Sequence, residues 1–428
     1  MKNIVNYDNI RDNADGSYSC RLSLGYKKDP KTGQQKQIKQ VVTVTADNKE
    51  EALALLILEK RNRLSRFKNP AASLTLSEVI NRYYSAKRNL SPNSKSKDLY
   101  YRRIINNRFG DELIQKISSQ DLFDFLSALE NDGLGRTTLR NFRSALRKYF
   151  NFATRQKFVT ENPMVQLFDY DIGKGDNPRK NRSETVSEDA KAALRYIFKH
   201  KHCRSFSLEL KLQILLSLDG CLRPTELYAL TWDNVNLEEG FMWVKQDLVV
   251  LTEKDAKELN LPRVSFKETK TGGSERKLPL SKLTIDMLRE FNDESIAFLA
   301  RTGANNKGNY LFFQRRLVKK GNDVNVASGS GLRTRLYKVS KYLQLKDMIS
   351  PYDLRRLART ERENEMELRD RVNLYVIGHV KDNETADPRY ITTMYKSALQ
   401  QHPIWEKLLY QIVGYDEHDK TFNKTSKQ

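Results

Sequence analysis

The stretch LLSLDGCLRPTELYALTW, residues 215–232, decides how the second half of this chain folds. Its apolar residues continue Leu212 through Leu215 and Leu216 at helical spacing, and Gly220 stands where a glycine commonly closes a helix. Pro224 suits the first turn of a following helix, because its missing N–H costs nothing there. Arg223 is therefore expected at a helix start, pinned in a tight turn, with its guanidinium and free backbone N–H groups converging on an anion. Glu226, three residues on, either orients that guanidinium or caps the helix.

Three further stretches extend this reading. FMWVKQDLVVL (241–251) reads as a strand, and RVSFKETKTGGSERKLPLS (263–281) as a strand, a Thr-Gly-Gly turn and a returning strand, with Lys270 beside the turn. A lysine there reaches into a cleft and donates one proton at a time, which suits protonating a leaving 5′ oxygen. SPYDLRRLART (350–360) puts Pro351 at a helix start and Arg355 one turn in, with Arg356 and Arg359 as rivals by proximity. YVIGHVKDNETADPRYITTMYKS (375–397) contains Gly378-His379, then Tyr390 and Tyr395. Singly, each has a bland reading: a turn lysine is usually a solvated charge, and such a tyrosine an ordinary half-buried aromatic. Together they supply two guanidinium forks for a phosphate in its transition state and a phenol that can hold DNA covalently.

These segments resemble the tyrosine recombinase, or phage-type integrase, family. The first looks like the G-L-R-x-x-E segment of the first catalytic arginine, with Cys221 as an extra residue after Gly220. T-K-T-G looks like the family's catalytic β-hairpin. The usual His-x-x-Arg appears as Tyr352-Asp353-Leu354-Arg355, a departure, since a tyrosine can donate to a phosphate oxygen but is no near-neutral acid or base. The family's nucleophile usually falls near the position of Pro388, so Tyr390 implies a short insertion, and Tyr395 is the alternative.

The resemblance implies a catalytic set of Arg223, Lys270, Tyr352, Arg355, His379 and the nucleophile Tyr390. It implies cleavage and rejoining of DNA through a 3′-phosphotyrosyl intermediate, without metal or nucleotide cofactor. The expected partners are double-stranded DNA attachment sites and three further copies of the chain in a homotetramer, with host DNA-bending and excision factors besides. The outcome would be integration or excision of a mobile element. Rival readings are a non-catalytic DNA-binding protein of the same fold and a type IB topoisomerase-like enzyme.

The expected fold is multidomain and mainly α with small β parts. Residues 1–70 read as a small β-sheet plus helix, an arm-type DNA-binding module under the resemblance. Tyr18, Cys20, Leu22 and Leu24 alternate on one face, Val42 and Val44 recur with period two, and DPKTG (29–33) signals a turn. Asn48 is placed to cap a helix carrying Ala52, Leu55, Leu56 and Leu58. Lys27, Lys28 and Lys31 make the hairpin basic, although such lysines also serve merely to protect an edge strand.

Residues 71–170 read as a helical, SAM-like core-binding domain, starting with a Thr75/Glu78 capping box. In its sharpest helix Leu139, Phe142, Leu146, Tyr149 and Ala153 form one stripe, and Arg136, Arg140, Arg143 and Arg147 a second. Aligned arginines with no interleaved acids repel one another unless an anion lies alongside, and a DNA backbone is the natural one. Arginines over a solvated face are the alternative. Residues 171–185 read as a basic linker, 186–400 as a mixed α+β catalytic domain, and 401–428 as a C-terminal segment. There Trp405, Leu408, Leu409, Ile412 and Val413 form an apolar face suited to a neighbouring protomer or to its own domain.

Composition agrees with a nucleic-acid partner. The net charge is +21 over 428 residues. The excess of basic over acidic residues is 6 in 1–70, 6 in 71–170 and 9 in 171–428, so no single tail carries it. Cysteine is scarce, with Cys20, Cys203 and Cys221 offering no close metal-ligand pair. The first residues, MKNIVNYDNIRDN, lack an apolar core of signal-peptide type. A cytoplasmic, nucleoid-associated protein is expected.

Overall fold

The computed structural model describes residues 7–13, 15–28, 35–68, 74–87, 91–165, 182–200, 206–268, 275–316, 318–365, 371–379 and 388–416. The chain is mostly helical with small antiparallel sheets. It divides into two compact units, Met1–Gly175 and Asp176–Gln428.

The first unit begins with strands β1 (Arg11–Asp12), β2 (Ser17–Lys28) and β3 (Gln35–Thr45), paired in that order. The expected alternation lines the buried face: Cys20 stands opposite Val42 and Tyr18 opposite Val44, and Cys20, Leu22 and Val42 are buried. The register shifts between Ser23 and Gly25, a bulge that strengthens the local twist. Asn48 accepts the Glu51 N–H at 2.8 Å and opens helix α1 (Lys49–Lys68), whose Ala52 and Leu56 are buried. Leu58 departs from the expected stripe. Two residues beyond Leu56 lies the opposite side of a helix, and Leu58 is exposed there. The side chains of Leu24, Lys27 and Lys28, and all of Lys31, lie outside the described part; in register, Lys27 faces Lys36.

A separate core joins helices α2 (Leu76–Ala86), α3 (Pro92–Phe109), α4 (Ser119–Asn131) and α5 (Arg136–Arg155). The Thr75–Glu78 capping box forms, with N–H to carboxylate at 2.9 Å and N–H to hydroxyl at 3.3 Å. All five residues of the apolar stripe on α5 are buried. That orientation leaves Arg136, Arg140 and Arg147 exposed and Arg143 half-buried.

The second unit starts with α6 (Arg182–Lys199), whose first turn lies inside the stretch expected as linker. Helices α7 (Leu208–Asp219) and α8 (Pro224–Leu227) follow. Every residue of α7 from Leu210 to Asp219 is buried, so α7 is the central helix of this unit. Next come β4 (Val235–Asn236), β5 (Phe241–Val244), β6 (Gln246–Val250), α9 (Glu253–Leu259), β7 (Val264–Glu268) and β8 (Arg276–Pro279). The remainder is helical: α10 (Lys282–Thr302), α11 (Ser330–Tyr342), α12 (Pro351–Glu365), α13 (Arg371–Ile377) and α14 (Pro388–Val413).

The expected hairpin of β7 with β8 is replaced by a different pairing among the described residues. β8 pairs with β5 and β7 pairs with β6, with Val244 opposite Arg276 and Gln246 opposite Glu268. Only Lys245 separates β5 from β6, so β7 and β8 follow the two halves of a nearly continuous strand. The reason is burial: Arg276 and Leu278 alternate inward, which fixes β8 to β5. In the C-terminal segment one of the two expected alternatives is met: Trp405, Leu409, Ile412 and Val413 are buried in the core of their own unit. No helix among the described residues is long and apolar enough to cross a membrane.

Candidate active site

Two helix C-termini and one helix N-terminus meet in the second unit. Helix α7 ends at Asp219, and the chain turns through Cys221, whose φ is +46°, to reach Arg223 as the N-cap of α8. Glu226 performs both of its expected tasks. One carboxylate oxygen accepts the Arg223 backbone N–H at 2.8 Å, and the other accepts its guanidinium at 2.6 Å. Helix α13 ends at Ile377, and Gly378 with φ +65° turns the chain so that His379 follows. Glycine is needed there, because a Cβ would stand 3.0 Å from the Arg276 guanidinium.

The last carbonyls of both helices lack intrahelical partners, and arginines take them. Arg276 donates to Gly220 O at 3.3 Å and to Val376 O at 2.9 Å. Arg355, one turn into α12, donates to Cys221 O and, at 2.6 Å, to Ile377 O. The partial negative charge at a helix C-terminus favours such cations. Arg276 also grips Glu226, at 2.9 Å and 3.3 Å, and Arg355 lies 3.7 Å from the same carboxylate. Three guanidinium groups thus surround one buried carboxylate. Burial by itself raises the Glu226 carboxyl, but Arg276 and then Arg223 outweigh it and hold it at about 2. Burial, followed by Arg223 nearby, lowers Arg355 to about 10, and it stays charged at neutral pH.

His379 joins this group. Its Nε2 lies 3.4 Å from Arg355 Nη2. The guanidinium can only donate, so Nε2 accepts and the neutral ring carries its proton on Nδ1. Partial burial, then Arg355 and Arg223, lower its pKa. The residues expected as rivals of Arg355 point elsewhere: Arg356 pairs loosely with Asp353, and Arg359 with Glu363.

Arg223, Arg355 and His379 are therefore brought together. The side chain of Arg223 is about a third exposed and His379 is exposed, which leaves an open, positive side for an anion. Tyr352 stands 61% exposed on the first turn of α12, and no hydrogen bond or ring contact joins it to the cluster among the described residues. Lys270 lies outside the described residues, between Glu268, which ends β7, and Arg276, which begins β8.

The two tyrosines of α14 differ in their surroundings. The Tyr390 ring meets that of Tyr375 edge-on at 6.1 Å, and the Tyr375 hydroxyl is held by the backbone of Lys277, next to Arg276. Tyr395 packs on Phe241, with the Lys277 ammonium 4.6 Å over its ring.

Arg276 was missed in the sequence because SERK reads as solvated charge. The available signal was parity, since Arg276 shares its face with Leu278 and Leu280, all buried. Cys221 occupies a left-handed position directly before Leu222-Arg223, a conformation that glycine adopts most readily.

Both units of the chain are similar to known proteins. The family model described as phage integrase, N-terminal SAM-like domain matches residues 81–157, and the one described as phage integrase family matches residues 189–396. The ICEBs1 integrase of Bacillus subtilis (strain 168) is 28% identical over 155 residues, 35% of this chain and 39% of that protein. This chain thus matches about two fifths of that relative's length. Among solved structures, the Tn1549 transposon integrase in complex with circular intermediate DNA is 18% identical, with a TM-score of 0.54, over 77% of this chain and 100% of that one. The same integrase with transposon right end DNA gives 18% and 0.54, over 77% and 98%. At this identity the likeness is one of fold.

Proposed function

Since the chain belongs to the phage integrase family, we propose that it is a tyrosine-type site-specific DNA recombinase that integrates or excises a mobile element. The observation that carries this reading is the convergence of Arg223 and Arg355 on Glu226, with His379 at 3.4 Å from Arg355. Such a cluster has its positive charge fixed before a phosphate arrives, so little reorganisation is needed as charge develops on the non-bridging oxygens.

The phenol of Tyr390, giving up its proton to water, attacks the scissile phosphorus through its oxygen and forms a phosphotyrosine bond to the 3′ side, while the bond from phosphorus to the 5′ oxygen breaks. Lys270 gives the leaving 5′ oxygen its proton, and Tyr352 donates to a phosphate oxygen. Attack by a 5′-hydroxyl of the partner duplex reverses the step and rejoins the strands. Both rings are engaged, Tyr390 by Tyr375 and Arg371 and Tyr395 by Phe241 and Lys277, and Tyr390 is preferred for its place in the Arg389-Tyr390 dipeptide that the family resemblance favours.

Residues 71–170 would serve as the core-binding domain, with Arg136, Arg140, Arg143 and Arg147 along the phosphate backbone, and 186–400 as the catalytic domain. The module of residues 1–70, with Lys27, Lys28 and Lys31, would bind separate arm sites and add avidity. The working form would be a homotetramer on paired attachment sites in the cytoplasm. Host DNA-bending and excision factors are proposed as accessory partners.

The test is a covalent trap. A duplex enriched from a random pool by binding to the full chain is nicked at successive positions to give suicide substrates. Mass spectrometry should find the adduct on Tyr390 and no adduct in Tyr390→Phe. An adduct on Tyr395 would keep the chemistry and move the nucleophile, whereas bound DNA with no adduct would favour a non-catalytic DNA-binding protein.

A further inference from the structure

Asp219, the last residue of α7, is buried and accepts four hydrogen bonds from two other helices. One carboxylate oxygen takes the Ser281 N–H at 3.2 Å, the Ser281 hydroxyl at 2.9 Å and the Thr284 hydroxyl at 2.6 Å, all at the start of α10. The other takes the indole N–H of Trp405, on α14, at 2.9 Å. Arg362 of α12 donates to the Asp219 backbone carbonyl at 2.9 Å, and its guanidinium lies 3.7 Å over the Trp405 ring. Trp405, Asp219 and Arg362 are all buried.

Three members of this knot, Asp219, Arg362 and Trp405, sit on the elements that carry the candidate active site. Asp219 immediately precedes Gly220 and Cys221, whose carbonyls hold Arg276 and Arg355. Arg362 lies two turns beyond Arg355 on the same face of α12. Trp405 shares α14 with Tyr390. A shift of the α7 terminus would move both carbonyls, and with them two guanidinium groups. In a site of this kind a displacement of about 1 Å costs on the order of a hundredfold in rate.

We infer that Trp405 is a positioning residue, which through Asp219 and Arg362 fixes the nucleophile helix against the turn and helix that carry the phosphate-binding arginines. This rests on the recombinase reading above. It adds that the distal part of α14 sets the rate of strand cleavage without touching DNA.

Trp405→Phe keeps a ring under Arg362, removes the indole N–H and leaves a small cavity at a fully buried site. Full-length protein is tested on the same suicide duplexes, measuring binding, thermal stability and the first-order rate of adduct formation. The expected result is a folded protein with unchanged binding and cleavage slowed by about tenfold or more. The defect should shrink on a duplex whose scissile phosphate is a methylphosphonate, because a less charged group depends less on arginine placement. Cleavage at the wild-type rate overturns the inference, as does a parallel loss of stability, binding and cleavage that is equal on both phosphates. If Trp405→Phe fails to fold, Asp219→Asn is judged by the same criteria. Wild-type protein that binds the duplex without forming an adduct overturns the recombinase reading itself, and this inference with it.

Discussion

Arg276 and Glu226 face each other as a fully buried pair, with Nη2 2.9 Å from Oε2 and Nη1 3.3 Å from Oε1. Neither charge reaches water, so each is tolerable only while the other is present. Glu226→Gln should therefore destabilise the second unit by about 3–5 kcal/mol, measured by urea denaturation. The pH dependence has a definite sign. The carboxyl is held at about 2 against an ordinary 4.5, so its contribution is complete above that ordinary value and disappears as the pH falls through about 2. The Gln variant should show a shallower loss of stability across that acid window than the wild type.

Cys221 supplies a second prediction. Its side chain is buried and its φ is +46°, a conformation that costs about 1 kcal/mol for a residue with a Cβ. Replacing it by alanine removes the thiol and keeps that cost, whereas glycine removes both. Cys221→Gly should thus be more stable than Cys221→Ala by about 1 kcal/mol, the reverse of the usual order within a helix. Denaturant melts of the two variants decide it, and equal stabilities would count against strain at this turn.

How much was legible beforehand follows from the range of each signal. Local rules worked well: the Thr75–Glu78 box, the N-cap position of Arg223 and the buried stripe of α5 each depend on residues within one or two turns. Arg355 could be preferred over Arg356 because its spacing from Tyr352 matches that of the family's His-x-x-Arg. The pairing of β7 and β8 was misread because a Thr-Gly-Gly turn suggests a hairpin, while burial of Arg276 ties β8 to β5 instead. Asp219 and Trp405 were beyond reach as a pair, being 186 residues apart. Nothing local in LSLDG marks that aspartate as a receiver for an indole.

His379 should titrate below its ordinary 6.5. Burial and the neighbouring arginines, Arg355 first, both disfavour the imidazolium. The sign for stability follows: the neutral ring suits the folded state above 6.5, and this contribution is lost as the pH falls through the lower folded-state value. NMR of ring-labelled histidine, assigned with His379→Gln, should show the depressed midpoint. Adding duplex DNA should raise that midpoint, since a phosphate among the arginines offsets their charge. A midpoint that stays fixed on saturation with DNA would mean that no phosphate settles beside His379.

The arginines of α5 allow a test that does not depend on the chemistry. Arg136, Arg140 and Arg147 are exposed along a face beside the buried stripe. If a DNA backbone runs along that face, each neutralised phosphate releases counterions, and the slope of log affinity against log salt falls by about 0.9 per contact removed. Arg136→Gln, Arg140→Gln and Arg147→Gln together should reduce the slope by about 3. Because phosphate contacts carry no sequence information, binding to all duplexes should weaken alike and preference among them should persist. Affinity measured across a salt series, for an enriched and a scrambled duplex, separates the readings: an unchanged slope would assign these arginines to a solvated face. A changed preference with little change in slope would instead place them against base edges.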